Sequence, residues 1–120
     1  MENCLFCKIG NGSIPSKTIY EDDIVRVFLD INPNSPGHTL VIPKKHFKDF
    51  DDINLETLNH IMKVAKDIKT LIEDKLNPSG IKFVNNYGSL QEVKHYHLHI
   101  IPYYEDKKEL SIEEVYELLK

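Results

Sequence analysis

Three histidines at alternate positions, His95, His97 and His99, carry the densest chemistry in this sequence. In an extended run His95-Tyr96-His97-Leu98-His99-Ile100-Ile101, successive side chains point to opposite faces. The three imidazoles then share one face, and Tyr96, Leu98 and Ile100 share the other. Imidazole is a poor filler for a strand face, and three in register repel one another once protonated. Two uses remain open. Alternate histidines on a strand can share one metal ion. Alternatively, one neutral imidazole attacks an electrophilic phosphorus while its neighbours orient and polarise the group under attack. Near the other end of the chain, Cys4 and Cys7 have the spacing of half a tetrahedral zinc site.

These residues need elements to hold them. Residues 4–9 read as one helical turn ended by Gly10-Asn11-Gly12, where glycine and asparagine tolerate a left-handed backbone. Residues 18–21 and 24–29 read as strands joined by the acidic turn Glu21-Asp22-Asp23, and 39–42 as a strand stopped by Pro43. Asn32-Pro33-Asn34-Ser35-Pro36-Gly37 is a loop by composition. The strongest periodicity lies over residues 55–76, where Leu58, Ile61, Met62, Ala65, Ile68, Ile72 and Leu76 recur at helical spacing. Glu56, Lys63, Asp67 and Asp74 take its other side, Asn54 is its N-cap, and Asn77-Pro78-Ser79-Gly80 ends it. His60 falls on the polar side and receives no role. Strands at 81–85 and 95–101 follow, and Ser111-Ile112-Glu113-Glu114 has the capping-box pattern ahead of a short helix. Strands clustered before and after one long helix predict an α+β fold with a mostly antiparallel, five-stranded sheet.

With 120 residues the chain suits one domain over 1–120 and one core. Its formal charge of −4 argues against duplex nucleic acid as the main partner, because such binding rests on a basic surface. No run approaches the ~20 apolar residues of a membrane span. The start Met1-Glu2-Asn3-Cys4 has no basic or apolar leader pattern, and two closely spaced cysteines fit a reducing compartment, so a cytoplasmic location is expected.

The histidine run resembles the histidine triad superfamily, named for histidines alternating with hydrophobic residues. The resemblance extends to Phe28-Leu29-Asp30-Ile31-Asn32-Pro33 and to Pro36-Gly37-His38-Thr39-Leu40-Val41-Ile42-Pro43-Lys44-Lys45-His46, in order along the chain. Asp30 after two hydrophobic residues favours the Hint branch, the small nucleoside-phosphoramidate hydrolases, over the diadenosine polyphosphate hydrolases of the Fhit type. The resemblance implies that His97 attacks the α-phosphorus of a purine nucleoside phosphoramidate, giving a nucleotidyl-histidine that water hydrolyses. It implies His99 at the phosphate and leaving group, His38 supporting the triad, Asp30 on the ribose hydroxyls, and Asn86 and Gln91 as further substrate contacts. A homodimer is implied as well.

The resemblance also implies a structural zinc held by Cys4, Cys7, His46 and His95, which would divert His95 from the chemistry. Two departures stand out. The 86–95 loop is about two residues short, lacking the usual glycine before Gln91. Glu92 replaces a customary serine or threonine, and a carboxylate there is unfavourable beside a phosphate unless a cation such as Lys94 pairs with it. Dinucleoside polyphosphate cleavage, and a nucleotide-binding scaffold with little turnover, are the alternative readings.

Overall fold

The computed structural model describes residues 3–120, so the Met1-Glu2 start read for its lack of a leader lies outside the described residues. Five strands, β1 (Thr18–Glu21), β2 (Val25–Leu29), β3 (Thr39–Pro43), β4 (Gly80–Val84) and β5 (Leu98–Tyr103), form one sheet in the order β1-β2-β3-β5-β4. Every neighbouring pair is antiparallel. Among the described residues, three α-helices accompany it, α1 (Leu5–Gly10), α2 (Leu55–Leu76) and α3 (Ile112–Leu119), with a short 3-10 turn at Gly88–Leu90. Among the described residues, no helix is long and apolar enough to cross a membrane.

Period-two alternation gives the sheet two different faces. Val25, Val27, Leu29, Val41, Leu98 and Ile100 point to one side, where they pack with Ile61, Ile68 and Ile72 of α2 and Val115 and Leu119 of α3. Phe28, Leu40 and Ile42 point to the other, against Phe6 and Ile9 of α1. The histidine face belongs to this second side.

Helix α2 has the predicted limits. Asn54 Oδ1 accepts from Thr57 N at 2.7 Å, and Asn77 ends the helix in the left-handed region at φ 49°. One core position differs from expectation: Met62 is exposed and Val64 is buried in its place. At about 100° per residue, Val64 lies closer to the stripe through Ile61, Ile68 and Ile72 than Met62 does. His60, given no role from its sequence position, pairs through Nε2 with Asp22 Oδ2 at 2.7 Å, tying the start of α2 to the β1–β2 turn.

The expected strand over 95–101 is corrected: the ladder begins at Leu98, and His95 and His97 precede it. The β3–β5 pairing runs only from Thr39↔Ile100 to Val41↔Leu98. Beyond it Pro43 has no N–H to donate, its carbonyl is taken by His95 Nε2, and Tyr96 N–H turns to Phe47 O at 2.7 Å. The alternation survives without the ladder. Tyr96, Leu98 and Ile100 all enter the α2-facing core.

Candidate active site

The cleft on the second face has a volume of about 590 Å³. Phe6, Ile9, Ile14, Phe28 and Leu40 make its apolar wall, and Asp30, Asn86, His97, His99, His38 and Glu92 supply its polar groups. The sheet brings these together because β2 delivers its last residues to Asp30, β3 begins just after His38, and β5 lies beside β3.

Hydrogen bonds assign a tautomer to each imidazole. His97 Nδ1 lies 2.7 Å from the carbonyl of His95, so it carries the proton and Nε2 is left with the free lone pair. His38 Nδ1 accepts from Asn34 N at 3.0 Å, which puts the His38 proton on Nε2. That N–H donates to His99 Nδ1 at 2.9 Å, so His99 keeps its own proton on Nε2. Asp30 Oδ2 is 3.5 Å from His38 Nε2, a contact longer than the His38–His99 hydrogen bond. The rings of His97 and His99 are 5.0 Å apart. Neighbouring rings that both line the cleft therefore offer a lone pair and an N–H donor, a combination suited to nucleophilic attack assisted by hydrogen bonding.

Burial keeps these rings neutral. It is the largest influence lowering the pKa values of His38, His97 and His99, and Asp30 only partly offsets it. His99 is pushed down to about 4, with repulsion from His97 and His38 adding to burial. We expect the acid limb of the kcat/KM profile to lie below 6.5, the ordinary imidazole value, because burial disfavours the protonated rings. A pH–rate profile whose acid limb lies at 6.5 or above would contradict this. Stability shares the sign: folded values below the unfolded one mean that acid destabilises the fold as pH falls from about 6.5 toward 4.

Two sequence-predicted residues land differently from expectation. Gln91 is buried away from the cleft lining and donates from Nε2 to Lys48 O at 2.7 Å, so it pins the loop rather than facing a substrate. Lys94 donates to Gly88 O and does not pair with Glu92, whose exposed carboxylate lines the cleft and acts electrostatically on His97. Asn86 does line the cleft, but its neighbour Asn85 holds the His97 carbonyl, donating from Nδ2 at 3.0 Å. Asn85 was missed because an asparagine at a strand end reads as a terminator. Phe6 was missed as well; its ring meets His97 edge-on with centroids 4.9 Å apart.

A second cluster lies at the start of α1. Cys4 Sγ is 3.3 Å from His95 Nδ1; Cys7 Sγ is 3.3 Å from His46 Nδ1 and 3.5 Å from His95 Nδ1. All four ligand atoms fall within 4.8 Å of one another. A tetrahedral zinc with ordinary Zn–S and Zn–N bonds needs S···N edges of about 3.6 Å, so the donor set fits. The second shell fits too: His95 Nε2–H donates to Pro43 O at 2.7 Å, leaving the Nδ1 lone pair aimed at the sulfurs. Burial and the adjacent Cys4 push the Cys7 thiol up to about 11. Such a thiol is no reactive nucleophile, and a bound cation would be what ionises it.

An α+β fold with an antiparallel sheet, carrying alternating histidines beneath a cleft, defines a histidine-triad protein. The chain belongs to the HIT-domain family, whose model matches residues 11–106. A HIT-like protein of Methanocaldococcus jannaschii is 51% identical over 110 residues, covering 89% of this chain and 84% of the relative. The adenosine 5′-monophosphoramidase of Saccharomyces cerevisiae is 38% identical over 109 residues, covering 91% and 68%. The crystal structure of a zinc-bound histidine triad family protein from Mycobacterium smegmatis superposes with a TM-score of 0.90 at 35% identity, covering 98% of this chain and 91% of that one.

Proposed function

We propose that this protein hydrolyses purine nucleoside 5′-phosphoramidates through a nucleotidyl-His97 intermediate. The observation that carries the reading is the paired tautomers: a lone pair on His97 Nε2 beside a proton on His99 Nε2. His97 Nε2 attacks the α-phosphorus, the bond from phosphorus to the amine breaks, and the amine leaves with the proton of His99 Nε2–H. Water then attacks phosphorus and returns a proton to His99 Nε2, the P–Nε2 bond breaks, and the nucleoside monophosphate departs with His97 and His99 restored. His99 donates to phosphate oxygens and the leaving group, and His38 holds it in the required tautomer. Asn86 would contact the phosphate. Asp30 accepts from the ribose hydroxyls, and the wall of Phe6, Ile9, Ile14, Phe28 and Leu40 takes the base. The yeast relative named as an adenosine 5′-monophosphoramidase supports the same substrate class.

Glu92 separates this reading from dinucleoside polyphosphate cleavage. A carboxylate without a cationic partner, lining the cleft, repels a polyphosphate more than a singly charged phosphoramidate. Comparing kcat/KM for an adenosine phosphoramidate and for diadenosine tetraphosphate tests it. The phosphoramidate should win by at least about tenfold, or ~1.4 kcal/mol; the reverse order would reassign the substrate, and no turnover of either would favour a nucleotide-binding scaffold.

Cys4, Cys7, His46 and His95 would hold a structural zinc, a closed Cys2His2 set with no position open for substrate. The zinc-bound relative supports this. Protein purified without added metal should contain close to one equivalent of zinc, and less than about a tenth of an equivalent would overturn the assignment. A homodimer and a cytoplasmic location complete the reading. β4 is an edge strand with Phe83 exposed, and both cysteines are free thiols, which fits a reducing compartment.

A further inference from the structure

Besides the local turn in which its N–H donates to Val93 O, His95 is restrained at three points, and each restraint leads somewhere different. Its Nδ1 faces Cys4 and Cys7, its Nε2 donates to Pro43 at the end of β3, and its carbonyl accepts the Nδ1 proton of His97. The third contact alone determines which nitrogen of His97 is free to attack. A second path leads to the same ring. Phe6 lies between the two cysteines on α1, and its ring meets those of His97 and His95 edge-on, with centroids 4.9 and 6.1 Å away. The cysteine–histidine corner therefore touches the nucleophile through the main chain on one side and through an aromatic ring on the other.

We propose that the Cys4–Cys7–His46–His95 corner, when it holds its metal, positions the nucleophile, with His95 as the positioning residue. Fixing the His95 ring between the sulfurs and Pro43 O fixes the 95–97 backbone, and with it the acceptor for His97 Nδ1–H. Without that anchor, the carbonyl moves relative to the ring, and the proton of His97 distributes over both nitrogens. The fraction of His97 with a lone pair on Nε2, aimed into the cleft, then falls. This inference rests on His97 being the nucleophile, but its main readout does not need turnover.

The experiment is long-range proton–nitrogen NMR of the histidine rings in zinc-loaded and chelator-stripped protein. The loaded protein should show His97 as a single tautomer, protonated on Nδ1. In the stripped protein its two nitrogen signals should move toward one another. Identical His97 signals in the two forms would overturn the proposal.

Stripping can also unfold the chain, so zinc-loaded His95→Cys provides the second arm. It keeps four ligands and leaves α1 anchored while losing the link to Pro43. Its kcat should fall about a hundredfold with KM nearly unchanged, because the base wall stays in place while the attacking nitrogen is misplaced. Wild-type kcat in zinc-loaded His95→Cys would likewise overturn the idea. Failure of the substrate assignment is distinguishable: the wild type itself would then show no phosphoramidate turnover, while the tautomer comparison would still decide the coupling.

Discussion

Replacing His97 by alanine or asparagine should lower the turnover of an adenosine phosphoramidate by at least about a thousandfold, because no covalent route survives without the attacking nitrogen. His97 is 5% exposed, packed against Phe6 and donating to His95 O, so alanine also leaves a small void and a freed carbonyl. Asparagine is the better probe. Its amide can donate to the same carbonyl while offering no nucleophile, so the fold and nucleotide binding should persist. Steady-state rates together with titration of the nucleoside monophosphate separate the two effects. A variant that keeps a tenth of the wild-type rate would rule out covalent catalysis by His97. Slowing the second step at His99 should instead let the nucleotidyl adduct accumulate on His97, where mass spectrometry would find it.

The largest loss of stability is expected at Gly37→Ala, from two causes that act together. Gly37 has φ +94°, a conformation that costs an alanine about 1–2 kcal/mol. A Cβ there would also lie 2.7 Å from Leu76 Cδ1 and 3.1 Å from Pro102 Cγ. Leu76 is 1% exposed at the end of α2 and has little room to retreat, so overpacking adds about 1–3 kcal/mol. The sum, about 2–5 kcal/mol, is a large share of an ordinary domain's stability and should lower Tm by about 10 °C or more. Gly88→Ala separates the causes. Gly88 also has positive φ, but nothing lies within 4 Å of its added Cβ, so that variant should show the backbone cost alone. Equal Tm losses in the two variants would remove the steric contribution. Gly37 immediately precedes His38, so the same change should loosen the His38–His99 hydrogen bond and reduce activity in whatever protein remains folded.

Much of the layout was legible without coordinates because it is local. Helix α2 follows from apolar spacing and from its two asparagine caps, and the capping box of Ser111 and Glu114 announces α3. Which histidines share a face follows from extended backbone alone, which is why the alternation of 95–100 holds even where no ladder forms. The family resemblance implied that Asp30, His38, His97 and His99 share a site and that Cys4, Cys7, His46 and His95 form a second, and the structure brings each set together, the first in one cleft and the second in one corner.

What stayed hidden depends on groups that carry no side-chain identity or that lie far apart in the chain. The start of β5 is decided by Pro43 and by the carbonyl of Phe47, both in segments about fifty residues away. Gln91 is legible as a polar loop residue; its burial against Lys48 O follows only from how the two loops pack. The tautomers of His97 and His38 rest on a main-chain carbonyl and a main-chain N–H, groups that carry no side-chain identity, so residue types alone do not say which ones are used. So the residue types and their periodicity already contained the helices and the shared face of the imidazoles, leaving metal binding and nucleophilic attack both open until the family resemblance favoured attack. That His95 O, two residues from His97, is the acceptor that leaves Nε2 free, and that the same residue joins the nucleophile to the cysteine corner, came from the tertiary structure, because the His95 ring is held by Cys4, Cys7 and Pro43, about fifty to ninety residues away.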